Sequence, residues 1–321
     1  MTPNVMSPSL ERMLAGVDAE VTLDAPLAKH TWFGVGGSCD ALVKPRSIIA
    51  LERVVTACHL EHIPVRVLGS GANLLVSDGG VDGVVLKLDL PCFAGWNFCE
   101  DGSKRWVVAG GGANMTTLMN AAVRVGLDGL CPMAGIPASV GGALRMNAGG
   151  RYGAIGDVVE SVTVMDVTGG TVHVSRAAMH FDYRHSNLPT GLFLECHLRL
   201  TPDDPQRLRE RVLEIMEYKK TTQPLPENSA GCMFRNPLLP TGERISAGML
   251  IDQAGLKGVT EGSAKVSTQH ANFLCVQTGG RANDLFRLAQ RVQQQVKDTH
   301  GVSLHMEVVH WQRGDRTGAL Q

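Results

Sequence analysis

Residues 230–237, Ala230-Gly231-Cys232-Met233-Phe234-Arg235-Asn236-Pro237, set a thiol on a glycine-flanked turn beside a cation and an amide. A thiol with a pKa of about 8.5 is mostly protonated at neutral pH and can donate a proton; a nearby cation lowers that pKa and favours a thiolate, which cannot. The octapeptide alone leaves both chemistries open, together with the inert buried thiol that free cysteines commonly are. Its company carries more information. Upstream stand Gly69-Ser70-Gly71-Ala72-Asn73-Leu74-Leu75-Val76-Ser77-Asp78-Gly79-Gly80 and Gly135-Ile136-Pro137-Ala138-Ser139-Val140-Gly141-Gly142-Ala143, and downstream Ala247-Gly248-Met249-Leu250-Ile251-Asp252-Gln253-Ala254-Gly255.

A glycine turn after a strand lets backbone N–H groups converge on a pyrophosphate, because no Cβ holds the anion away. Gly34 to Gly37, Gly69 to Gly71, Gly110 to Gly112 and Gly135 to Gly142 are four such turns in the first 150 residues. A dinucleotide is the expected ligand. The pattern is neither a Rossmann fingerprint, since Leu74 stands where a third glycine would be, nor a phosphate loop with Gly-Lys-Ser/Thr. His59 and His62 lie three apart on a helical stretch without a third ligand, so no metal site is expected. Met115, Met119 and Met133 read as core fillers.

The elements that must hold these turns alternate in type. Ile48, Leu51, Val54, Val55 and Cys58 recur at helical spacing within Ser47 to Ile63, Pro64 ends that run, and Val65 to Leu68 reads as a strand. Short strands are predicted at Gly83 to Leu88 and Trp106 to Ala109, then a helix capped by Asn114 and closed by Gly126. Val158 to Val164 and Thr171 to Val174 read as a hairpin, and Leu192 to Leu200 alternates like a further strand. The composition changes at Thr201-Pro202-Asp203-Asp204-Pro205, which places a boundary near residue 205. Beyond it come helical Gln206 to Lys220 and Ala282 to Thr299, a closing strand Val302 to Val309, and a tail from Trp311 to Gln321. The start, Met1 to Gly16, reads as a mobile extension.

At 321 residues, with 44% apolar residues, the chain is long enough for two or three globular domains. Thirty basic against 31 acidic residues give no broad field for nucleic acid or anionic membrane. No signal-peptide core and no run near 18 apolar residues is present, so a cytoplasmic protein without membrane insertion is expected. Eight cysteines without a Cys-x-x-Cys pair imply reduced thiols.

Thr31-Trp32-Phe33-Gly34-Val35-Gly36-Gly37, the Gly69 to Gly80 loop, Gly135 to Gly149 ending in Met146-Asn147-Ala148-Gly149, Tyr183-Arg184-His185-Ser186, Ala230 to Pro237 and Ala247 to Gly258 together resemble the UDP-N-acetylenolpyruvoylglucosamine reductase family. The likeness runs from about residue 22 to about residue 310. It implies an α+β protein: an FAD-binding fold of the vanillyl-alcohol-oxidase type in two subdomains, residues 21–204 split near 90, and a smaller α/β substrate-binding domain over 205–305. Residues 1–20 would be an extension and 306–321 a closing strand and tail. The short link from Ser186 to Leu192 resembles the family's second type, which lacks an inserted tyrosine-bearing loop.

The resemblance implies non-covalently bound FAD, with NADPH as reductant and a UDP-sugar as the small-molecule partner; no obligate protein partner is evident. It assigns the flavin to Gly34, Gly36 and Gly37; to Gly69, Ser70, Gly71, Ala72, Asn73 and Leu74; to Gly135, Ile136, Ser139, Gly141 and Gly142; and to Asn147, Ala148 and Gly149. Reducing an enolpyruvyl ether needs a hydride at its terminal carbon, stabilisation of the charge pushed toward the carboxylate, and a proton at the adjacent carbon. By the family motif the proton donor falls at Cys232, where serine is the common residue. Arg184 would face the carboxylate, as a guanidinium fork suits it. Glu307 takes the late catalytic position, although its place just before Val308-Val309 leaves its facing open by one residue. Substrate contacts carry over to Tyr183, Gln223, Arg235, Asn236, Lys257 and His270; His270 reads equally well as a structural histidine. Another flavin-dependent oxidoreductase of the same fold, or a nucleotide-binding relative without chemistry, is the alternative.

Overall fold

The computed structural model describes residues 8–320; residues 1–7 of the expected extension, and Gln321, lie outside them. Two sheets form the first part of the chain. The first runs in the order Ala19–Pro26, Ser38–Pro45, Val81–Leu86, Val65–Val67 and Ala319–Leu320, with antiparallel outer pairs and parallel inner ones. The second is antiparallel throughout: Thr171–Ser175, Val159–Met165, Leu192–Pro202, Lys104–Gly110 and Trp96–Asp101. The long alternating strand is its centre, and the expected hairpin forms one side.

Helices cover these sheets where their start signals stand. The Ser47 side chain caps Ile48–Leu60 by accepting from the Ala50 N–H, and Asn114 caps Met115–Arg124 by accepting from Thr117. The first helix buries Leu51, Val54, Val55 and Cys58 on one sheet; the second buries Met115, Leu118, Met119 and Ala122 on the other. Asp204 caps Pro205–Thr222, whose Ile215 enters the core of the second sheet. A third core forms around Ala282–His300, which lies on the three-stranded sheet Thr260–Glu261, Ala264–Val266 and Leu274–Val276. Phe33, Val35 and Leu75 from the first part of the chain are built into that core.

Both ends correct the expectations. Pro8–Leu14 is helical, and Leu10 and Leu14, four apart, are buried beside Leu51 and Val54, so this segment is docked. The closing strand is Val309–Trp311, not Val302 to Val309: the chain before it makes only the single bridge Met306 to Phe234. Nor is the segment after Trp311 a loose tail. Ala319–Leu320 pairs with Val65 and Arg66, and Arg313 donates to Asp40 (3.0 Å), Asp82 (2.8 Å) and the Gly79 carbonyl (2.8 Å). Arg66, fully buried under Trp311, donates to the carbonyls of Asp82, Thr317 and Asp315.

Because the buried Arg66 guanidinium is the donor to all three carbonyls, Arg66→Ala should cost about 3 kcal/mol in urea unfolding. The tail should then be cut faster by trypsin after Arg313 and Arg316. Unchanged stability and cleavage would mean that the tail is held by other contacts.

Candidate active site

A cavity of about 510 Å³ opens where the loop Asn147–Arg151, the turn Asp182–Arg184, the turn Cys232–Asn236, Asn272 and Glu307 meet. Cys232, Arg184 and Glu307, far apart in sequence, all line it. Two non-glycine residues in the left-handed region, Asn147 (φ 40°) and Arg184 (φ 53°), form part of its wall. Such backbone persists only where surrounding contacts hold it. Asn147 accepts from the Gly156 N–H (3.1 Å) and donates to the Asp182 carbonyl (2.9 Å). Arg184 donates from Nε to Glu307 Oε1 (2.5 Å) and from Nη1 to the Gly149 carbonyl (2.9 Å). Nη2 has no partner among the described residues.

Glu307 faces inward, which answers the question left open by one residue of register. Its N–H donates to the Met233 carbonyl (2.8 Å), and its own carbonyl accepts from Asn73 Nδ2 (3.2 Å). Val309 N–H then donates to the Asn73 carbonyl (3.1 Å), and Val309–Trp311 runs parallel to Leu74–Val76. Backbone pairing on both sides thus aims the side chain. Its Oε2 is buried without a hydrogen-bond partner among the described residues. Burial raises the Glu307 carboxyl above its ordinary pKa, and the Arg184 charge offsets part of that rise. Arg184 is also raised: burial alone would lower it, and the Glu307 carboxylate more than compensates.

The thiol is neutral. Burial first, then the Glu307 charge, pushes Cys232 up to about 12, while Arg184 and the Asn272 amide pull it down less. The thiolate that a nearby cation would favour is therefore not the resting state. Tyr183, raised mainly by burial, accepts at its hydroxyl from the Asn236 N–H (3.2 Å), and the guanidinium of Arg244 lies 4.4 Å over its ring.

The glycine turns converge next to this cavity. Gly71 needs its positive φ of 71°, and a Cβ there would overlap the His30 carbonyl. The N–H groups of Gly69, Ser70, Gly71, Ala72 and Asn73 donate to no protein acceptor among the described residues. Ser70 Oγ donates to the Pro137 carbonyl (2.5 Å), and a Cβ on Gly69 would touch Ser139 Oγ, so this turn and Gly135–Gly142 sit face to face. Gly141 N–H donates to the Gly111 carbonyl (2.7 Å). A run of unpaired N–H groups between two glycine turns, leading to a polar cavity, fits the pyrophosphate and ring system of a flavin dinucleotide. Gly36 and Gly37 instead allow close packing on Val76 and the Asp78–Gly80 backbone.

Among the expected substrate contacts, Tyr183 and Asn236 line the cavity, although the Asn236 side chain accepts from the Ala247 N–H (3.0 Å). Gln223, Arg235, Lys257 and His270 lie outside its lining. Lys257 pairs with Asp252 (2.7 Å), and His270, kept neutral by burial, accepts at Nδ1 from Asn272 (3.2 Å). Sequence reasoning missed Arg151, Asp182 and Asn272 in the lining, Arg244 stacked on Tyr183, and Lys219. The Lys219 ammonium donates to the Ala134 carbonyl (2.5 Å), next to the Gly135–Gly142 turn, and burial followed by the Arg184 charge lowers it to about 8. Among the described residues no helix is long and apolar enough to cross a membrane.

Comparison with known proteins gives consistent matches. A family model described as the UDP-N-acetylenolpyruvoylglucosamine reductase C-terminal domain matches residues 223–311, and an FAD binding domain model matches residues 39–175. A UDP-N-acetylenolpyruvoylglucosamine reductase of Paramagnetospirillum magneticum is 37% identical over 92% of this chain and 93% of its own length. One of Parasynechococcus marenigrum is 40% identical over 88% and 93% respectively. The crystal structure of UDP-N-acetylenolpyruvylglucosamine reductase from Thermus caldophilus superposes with a TM-score of 0.74 at 34% identity, covering 91% of this chain and 98% of that one. The expected α+β architecture with an FAD-binding region is borne out.

A neutral resting thiol has a kinetic signature. The rate of Cys232 alkylation by iodoacetamide, followed by mass spectrometry, should climb about tenfold per pH unit without levelling below about pH 10. A plateau near neutrality would reveal a resting thiolate.

Proposed function

The chain belongs to the UDP-N-acetylenolpyruvoylglucosamine reductase family, and on that premise we propose how its own residues carry the reaction. It is an FAD-containing oxidoreductase that reduces UDP-N-acetylglucosamine enolpyruvate to UDP-N-acetylmuramate in peptidoglycan precursor synthesis, with NADPH as reductant. When bound, FAD accepts a hydride from NADPH and supplies one to the terminal carbon of the enolpyruvyl group. In our reading the Gly69–Asn73 and Gly135–Gly142 turns hold its pyrophosphate, and Asn147 to Gly149 flank the cavity end.

Hydride addition pushes negative charge toward the substrate carboxylate. Arg184 meets that carboxylate with Nη2, its remaining nitrogens being held by Glu307 and Gly149. Glu307 Oε2, the protonatable oxygen of a carboxyl raised by burial, hydrogen-bonds the developing enolate. Cys232 then gives its S–H proton to the adjacent carbon, which completes the addition of hydride and proton across the double bond. The thiolate left behind is stabilised by Arg184 and regains a proton from solvent as product departs. The observation that carries this assignment is the meeting of a neutral thiol, a guanidinium and a buried carboxyl at one cavity.

For the diphosphate we propose the cations beside Tyr183 and Asn236. Arg235 is the residue expected there, and Arg244, stacked on Tyr183, is added by its position. Gln223, Lys257 and His270 then support the surrounding loops. We retain 21–204 as the flavin-binding region and 205–305 as the substrate-binding domain, with Pro205–Thr222 bridging them. Action in the cytoplasm, on a small-molecule substrate without an obligate protein partner, completes the reading.

Stopped-flow absorption separates the two half-reactions. Cys232→Ala should slow recovery of the flavin band by substrate at least about a hundredfold while leaving bleaching by NADPH within about twofold. Cys232→Ser should retain recovery, since a hydroxyl can also donate. Recovery at the parent rate in Cys232→Ala would remove the thiol from the reaction.

A further inference from the structure

Arg151 is a cation at the catalytic cavity that the assigned chemistry leaves unused. Gly149–Gly150 and Gly153–Ala154 pair as a two-stranded hairpin with Gly153 opposite Gly150, so Arg151 and Tyr152 are the two residues of its turn. Arg151 and both arms of this hairpin line the cavity that holds Cys232. The base of the hairpin is fixed: the Gly149 carbonyl accepts from Arg184 (2.9 Å), and the Ala154 N–H donates to the Asp157 carboxylate (2.9 Å). Its tip rests on the helix Pro205–Thr222. There Tyr152 meets the Tyr218 ring edge-on at 6.0 Å, and the Arg151 guanidinium lies 5.5 Å from the centre of the same ring. Arg151 is exposed, and among the described residues it has no carboxylate partner and no side-chain hydrogen bond.

An arginine laid over a ring uses its face there and keeps the N–H edge of its fork for an anion. The acidic groups of the cavity are engaged elsewhere: Glu307 pairs with Arg184, and the Asp182 carboxylate accepts from the Tyr183 N–H (2.6 Å). The free edge is therefore open to a ligand. Both half-reactions exchange a hydride with the same flavin, so two nucleotides reach this cavity in turn, and their phosphates differ. The UDP-sugar carries a diphosphate. NADPH carries a diphosphate and, apart from it on the adenosine ribose, a phosphomonoester with about two negative charges at neutral pH. Arg235 and Arg244 are the cations proposed for a diphosphate, and they stand on a different segment from the hairpin. Arg151 stands apart from them, beside the exposed ring of Tyr218, a surface that suits the adenine next to that phosphomonoester. Resting on NADPH as the reductant that enters this cavity, we propose that Arg151 is a specificity-determining residue: its guanidinium edge binds the 2′-phosphate of NADPH and sets the preference for NADPH over NADH. Tyr218 holds the guanidinium in place for that contact.

The test uses the flavin-loaded enzyme under anaerobic conditions, with Arg151→Ala and Arg151→Glu beside the parent. At low reductant concentration, flavin bleaching by NADPH should slow at least about tenfold in Arg151→Ala and further in Arg151→Glu, while bleaching by NADH changes less than about twofold. Calorimetric titration reads binding without turnover. The parent should bind adenosine 2′,5′-bisphosphate about tenfold or more tighter than adenosine 5′-monophosphate, and Arg151→Ala should erase that difference. Equal losses with NADPH and NADH, parent rates with NADPH in both variants, or a parent that binds the two adenosine phosphates equally would overturn the proposal. So would a rise in the UDP-sugar concentration for half-recovery with NADPH bleaching unchanged, which would put the guanidinium on the substrate diphosphate. A parent flavin that NADPH does not bleach would instead refute the reductant assignment itself.

Discussion

The buried pairing of Arg184 with Glu307 is the interaction on which the rest of this site depends. A carboxylate and a guanidinium removed from water are costly unless they are held close in good geometry. Each partner is accordingly fixed by its backbone: Arg184 in a left-handed turn tied to Gly149, and Glu307 between the Met233 carbonyl and the Asn73 amide. The pairing of Val309–Trp311 with Leu74–Val76 sets that register, and the tail beyond it, locked by Arg66 and Arg313, secures the strand to the first sheet. A segment that looks peripheral in the chain is a strut for the carboxyl group. Asn73 belongs at once to the glycine turn and to this clamp, so the Gly69–Asn73 turn and the segment carrying Glu307 share one residue.

The pair also sets the state of the cysteine. A cation beside a thiol ordinarily favours the thiolate, but here the cation is largely neutralised by its carboxylate and the sulfur is poorly hydrated. Burial wins, and the thiol keeps its proton at neutral pH. Cysteine in the position where the family commonly has serine is therefore consistent with a donor, because the environment protects the property the chemistry needs. The unpaired half of the Glu307 carboxyl, the free nitrogen of Arg184 and the Cys232 thiol then present a protonatable oxygen, a cation and a proton to one cavity.

Much of this was legible in the chain because it is local. The helix cap at Asn114, the hairpin around Asp166 to Gly170, and the glycine turns follow from a few neighbouring residues. The facing of Glu307 was not, since it is decided by Met233 and Asn73, residues 74 and 234 positions away. The closing strand was placed too early because Leu304 and Val308 are apolar for a different reason: they fill the core under Ala282–His300 rather than pair in a ladder. Leu10 and Leu14 did carry a readable helical spacing. Asn272, Lys219, Arg151 and Arg244 are ordinary polar residue types, and only tertiary contact distinguishes them from surface ones.

The most direct test of the central claim, that Arg184 and Glu307 act as one unit, is a double-mutant cycle on flavin-band recovery by substrate. Arg184→Gln, Glu307→Gln and the double variant would be compared with the parent in single turnovers. If the pair is one unit, the double variant recovers no more slowly than the worse single variant, because the first loss already disables the second residue. Losses that multiply would show two independent residues and contradict the account.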